Sequence, residues 1–154
     1  MKIKTKNPDR KWRTLANKNG WTIKYQHENL DLENLKKRLL AIGGWAVCLS
    51  RHEPDFENIL NRGERFAARA KMMRGEPCQC HSNSANLWDN NRDISYLCTG
   101  YALSKDGMWR QHSWCVVRTP KSYKVIETTE PRISYFGYIM DQKEAEKFFY
   151  ENCF

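Results

Sequence analysis

The alternation of apolar and polar positions divides the chain into a polar start, a helical first half and a strand-rich second half. Residues 1–20 hold no clear periodicity, and a short strand is expected at Trp21–Gln26. Over Asp31–Ile42, Leu32, Leu35, Leu39 and Leu40 fall on one helical stripe, and Gly43-Gly44 stops it. Trp45–Ser50 is a compact apolar run and reads as a buried strand. Pro54–Arg74 reads as a longer helix, with Phe56, Ile59, Leu60, Phe66 and Ala67 as a broken stripe. Gly63 weakens its middle and would split it into two shorter helices; Gly75-Glu76-Pro77 ends it.

The second half changes period. Cys80–Asn91 reads as a short helix after a turn. Ile94–Leu103 and Met108–Arg118 are strand-like runs around Ser104-Lys105-Asp106-Gly107, a hairpin turn signal. Tyr123–Glu130 and Ile133–Ile139 are two more strands, separated by Pro131. Asp141–Asn152 closes the chain as a helix, with Asp141 as N-cap and Glu144 at the capping-box position. The pattern predicts an α+β fold: N-terminal helices and a central cysteine-bearing helix packed on an antiparallel β-meander, then a C-terminal helix.

Composition narrows the class. At 154 residues, 40% hydrophobic and 29% charged, the chain suits one globular domain, placed at 21–154. Its formal charge of +8 favours anionic contacts, and Lys2, Lys4, Lys6, Arg10, Lys11, Arg13 and Lys18 crowd a basic, partly mobile arm over 1–20. No apolar run is long enough for a transmembrane helix, and the basic start lacks an apolar signal-peptide core, so a cytoplasmic location is expected. The six cysteines are then reduced thiols, and Cys48, Cys98 and Cys115, in apolar runs, are expected to be buried.

Chemistry concentrates in Gly75-Glu76-Pro77-Cys78-Gln79-Cys80-His81-Ser82-Asn83-Ser84. A turn brings Cys80 to a helix start, where free backbone N–H groups and the helix dipole stabilise a thiolate and can hold an oxyanion. Cys80 is preferred to Cys78 as nucleophile because it directly precedes the helical pattern. A thiolate needs a base, and the base an orienting group. His112 lies mid-strand, on a face with Met108, Arg110, Trp114 and Val116. Pairing Arg118 with Tyr123 puts Trp114 opposite Glu127, which makes Glu127 the diagonal neighbour of His112. Pairing Leu103 with Met108 puts Thr99 opposite His112 and Tyr101 opposite Arg110, so both would line the same site, with Gly100 leaving room for a backbone or ligand.

A cysteine at a helix start, a histidine on a strand and a polar residue on the next strand, in that order, resemble the papain-like and transglutaminase-like cysteine enzymes. The resemblance covers Gly75 to Gly137. It implies a papain-like domain in which Cys80 is the nucleophile, His112 the base and Glu127 the orienting group, where the family more often carries Asn or Asp. Gln79 and Asn83 would assist the oxyanion; the family's Gln several residues before the nucleophile is missing at that spacing. The chain is also similar to a small bacterial and phage protein family, which implies no activity. The expected activity is a cysteine-dependent hydrolase or acyltransferase acting on an amide or isopeptide bond, with a protein or peptide substrate, no cofactor and no membrane partner. Two other classes compete. Cys78, Cys80 and His81, completed by His112 or Cys115, offer thiolate and imidazole ligands for zinc. The basic arm, with Trp12, Trp88 and Tyr135 as exposed aromatics, would suit a non-catalytic nucleic-acid or protein-binding module.

Overall fold

The structure, a computed structural model, describes residues 23–49, 53–66 and 69–153. The basic arm, Trp12 and the start of the expected strand at Trp21–Gln26 lie outside them. From Ile23 that expected strand is helix instead: α1 runs Ile23–Ile42 and buries Leu35 and Leu39. β1 is short (Ala46–Cys48) and ends on an exposed Cys48, so neither the buried strand nor the buried thiol expected there forms. The expected helix Pro54–Arg74 is also replaced. α2 covers only Phe56–Arg62; Gly63 at φ −62° and ψ 137° turns the chain extended into β2 (Glu64–Phe66), and β3 (Lys71–Met72) follows. Pairing with neighbouring strands overrides the helix propensity of this stretch.

The second half follows its pattern. α3 is Cys80–Asp89, β4 Ser95–Leu103, β5 Met108–Arg118, β6 Tyr123–Glu127, β7 Ser134–Ile139 and α4 Gln142–Asn152. Asp141 and Glu144 form the capping box at the start of α4. The fold is α+β, but the sheet is not a plain meander. Its order is β2-β7-β4-β5-β6-β3, with β1 beside β5, and β1·β5 and β3·β6 are parallel. β7 returns to β4 rather than to β6. It can lie so close because Gly100 and Gly137 face each other: a Cβ on either would sit within 2.3 Å of a carbonyl oxygen of the other strand. The room left by Gly100 is used by backbone.

Alternation along the strands sorts the core into two clusters. Trp109, Cys115, Leu97, Tyr101, Phe136 and Tyr138 face the helices, where they meet Leu35, Leu39, Ile59, Trp88 and Ala145. The other face carries Trp114, Val116, Cys98, Ala102, Val125 and Tyr135, covered in part by Phe66 of β2. Trp88 and Tyr135 are therefore core residues, not exposed binding aromatics.

Candidate active site

β5 holds the site because one of its edges is incomplete. β4 pairs along the other edge from Trp109 to Val117. On the incomplete edge, β1 pairs with residues 108–110 and β6 with 115–118. Among the described residues, 111–114 have no strand neighbour there, and the start of α3 fills the gap. The Ser113 backbone hydrogen-bonds the Cys80 sulfur, and the Ser113 carbonyl accepts from Ser84 Oγ at 3.0 Å. Ser113 Oγ meets His81 Nδ1 at 2.6 Å. Three side chains from the first five residues of α3 thus bind one strand residue, and those of Cys80 and Ser84 take up backbone groups that a strand would otherwise satisfy. Through this gap a thiol on the helical side of the sheet reaches an imidazole on the other side.

The thiol interacts with the His112 side chain. His112 Nε2 is 2.8 Å from Glu127 Oε2, which leaves Nδ1 as the nitrogen for sulfur. The imidazole is 2% exposed and the carboxylate fully buried. The Arg118–Tyr123 register is observed and runs to Cys115 opposite Ile126, so alternation puts the next residue, Glu127, on the His112 face. Its carboxylate is saturated with donors. Oε1 accepts from the Thr128 and Thr129 amides at 2.9 Å each and from Thr129 Oγ1 at 3.0 Å; Oε2 also accepts from Tyr135 OH at 2.8 Å. Burial alone would raise its pKa, but His112 and these donors overcome it and hold the carboxyl at about 2. That ionised carboxylate favours the charged form of the ring. Burial opposes the charged ring, yet the thiol and Glu127 together raise the His112 pKa. Burial likewise opposes the Cys80 thiolate, and His112 with the Ser113 backbone lowers its pKa all the same. Burial pushes the Cys98 and Cys115 thiols the other way, Cys115 to about 12.

No protein-family model, curated protein or solved structure matches the chain.

Cys80 is the first residue of α3 and half-buried, with Gln79 as N-cap making no side-chain cap. The turn before it is strained. Glu76 O accepts from Gln79 N across Pro77-Cys78, and Cys78 holds φ +60°. A non-glycine residue there costs on the order of 1–3 kcal/mol, and such strain is retained where the surroundings fix the loop. They do so: Met73 N and Gly75 N donate to the carbonyls of Glu127 and Thr128, and Asn83 bonds both N and O of Glu76. The loop that delivers the thiol is tied to the segment that carries the carboxylate.

The remaining expected site residues are placed differently. Asn83 clamps the loop, so its amide is not free to hold an oxyanion. Gln79 is exposed, and its side-chain oxygen accepts from Ser82. The β4–β5 register is one residue from that expected: Thr99 pairs with Ser113 and Tyr101 with Gln111. Both therefore face the helices. Thr99 accepts from Ser113 Oγ, and Tyr101 OH donates to Glu53 at 2.8 Å. The slip comes from the turn, in which Ser104 N bonds Met108 O around a three-residue loop with Gly107 at φ +82°. The oxyanion donors that remain are the N–H groups of the first turn of α3. Among the described residues no three His, Cys, Asp or Glu side chains are arranged to hold a metal; Cys78 points away as an exposed residue, and His81 is engaged with Ser113. Tyr135 was not expected at the site. Its aromatic character read as core or surface, and only the return of β7 to β4 brings it to Glu127.

Proposed function

We propose that the protein is a cysteine-dependent hydrolase or acyltransferase that attacks an amide-type bond of a protein or peptide, with Cys80, His112 and Glu127 as its triad. One observation carries this: a lowered-pKa thiol at a helix start interacts with an imidazole whose other nitrogen is held by a buried carboxylate. A papain-like or transglutaminase-like ancestry would be consistent with the same order of residues. Among the described residues no helix is long and apolar enough to cross a membrane.

The chemistry runs in two halves. The Cys80 thiolate attacks the carbonyl carbon, and the N–H groups at the start of α3 receive the developing oxyanion. The C–N bond breaks as His112 passes the former thiol proton to the leaving amine, leaving a thioester on Cys80. Water, or a second amine, then attacks the thioester. His112 takes its proton, the C–S bond breaks and the thiolate is restored. Glu127 keeps the ring oriented throughout.

The test is pH-dependent alkylation of the intact protein, resolved by mass spectrometry, in wild type, Cys80→Ser and His112→Ala. Labelling at near-neutral pH concentrates on Cys80 and slows without His112. Labelling spread over the accessible cysteines at equal rates would remove the proposal.

A further inference from the structure

A cavity of about 460 Å³ lies against the helical face of the sheet, near the start of α3. Its wall includes Gln111, Thr99 and His81; Thr99 and His81 both hydrogen-bond Ser113 Oγ, and the Ser113 backbone hydrogen-bonds the Cys80 sulfur, so one residue links the wall to the thiol. Tyr138 and Phe148 give it an apolar lining. The remainder is acidic: Asp55, Glu144 and Glu151 line it with Lys147 as their only cation among the lining residues. On a chain of charge +8 that local sign is unexpected.

The carboxylates are unequally neutralised. Arg62 pairs with Glu144 at 2.6 Å, and Lys147 reaches Glu151 at 3.7 Å. Asp55 has Tyr138 OH at 3.0 Å as its side-chain partner and no ion pair among the described residues. Next to it in the chain, Glu53 is 6% exposed and among the described residues is met by neutral donors: Tyr101 OH, Gln111 Nε2 and the Asp55 amide. Burial raises the pKa of both carboxyls, and a cation brought to Asp55 would supply the counter-charge that favours their ionised form. Asp55 lines a cavity whose wall also includes His81, the chain neighbour of the nucleophile.

We propose that this cavity is the specificity pocket of the Cys80 site and takes a cationic side chain, an alkylammonium of the lysine type, with its carbon stem along Tyr138 and Phe148 and its charge at Asp55. The pocket has this role only if Cys80 is the nucleophile proposed above. His81 completes the fit. Its Nδ1 is occupied by Ser113 Oγ, and burial together with the charge on His112 lowers its pKa, so it stays neutral and does not repel a cation. The lining selects against an acidic side chain by like charge.

The test uses two thiol-reactive probes that differ only in the ammonium: chloroacetyl-lysine amide and chloroacetyl-norleucine amide. Their rates at Cys80 are followed by mass spectrometry. The lysine probe reacts about fivefold faster or more, the factor one partly buried ion pair supplies. The ratio falls toward one in Asp55→Asn and rises in Lys147→Gln, a change on the exposed side of α4 that keeps the fold. Equal rates in wild type, with Cys80 still labelled selectively, overturn the pocket and leave the thiol chemistry standing. Absence of Cys80 labelling by either probe overturns both.

Discussion

Glu127 is the residue on which the site's charge state turns. A carboxyl held at about 2 contributes stability that is fully present above the ordinary carboxylate range and is lost as pH falls through about 2. The size is roughly 3 kcal/mol. Urea unfolding from pH 7 down to pH 2 should therefore show a steep acid loss, and Glu127→Gln should flatten it. The same substitution removes the anion facing His112, so the midpoint for Cys80 alkylation should rise by about one pH unit. Tyr135→Phe removes one of several donors and should lower stability by about 1 kcal/mol while moving that midpoint less. Cys80, His112 and Glu127 were legible in the chain because each is a polar or reactive residue in a place its surroundings do not explain: a helix start, an apolar strand face, an apolar strand. Tyr135 carries no such contrast. A tyrosine on an apolar strand reads as core, and its hydroxyl partner lies on a strand its own strand does not pair with.

Elements whose register depends on one turn show where pattern reading holds and where it slips. The β5–β6 register follows from Arg118 opposite Tyr123, and that pairing alone puts Glu127 on the His112 face. The β4–β5 hairpin has the same kind of turn signal, but Gly107 in the left-handed region shortens the loop by one residue and turns Thr99 and Tyr101 to the opposite face. Residues 54–74 misled for a different reason. Their composition favours helix, and the extended conformation after Gly63 is stabilised by pairing with β7 and β6, partners far along the chain. The loop before α3 also carries strain at Cys78. Cys78→Gly relieves a left-handed cysteine and should raise stability by about 1 kcal/mol, whereas Cys78→Val should lower it, both read by chemical denaturation.

At the scale of the molecule, the helices of the described residues pack on one face of a mixed sheet, while the imidazole and carboxylate sit on the other. The unpaired stretch of β5 joins the two sides, and nothing local to α3 can create the thiolate environment without it. Reactivity is thus a property of the folded chain: in urea the selectivity for Cys80 should disappear, and the cysteines should label at rates set by an ordinary thiol pKa. The gap itself could not be read from the sequence, since it depends on β1 and β6 ending where they do along β5. The proposed chemistry depends first on the charge state of the Cys80–His112 pair. Ultraviolet thiolate absorbance, titrated as the difference between wild type and Cys80→Ser, should show a thiolate already present at neutral pH and lost on acidification, with the signal moving to the ordinary thiol range in His112→Ala. A Cys80 thiolate that appears only in that ordinary range in the wild type, unmoved by His112→Ala, would contradict it.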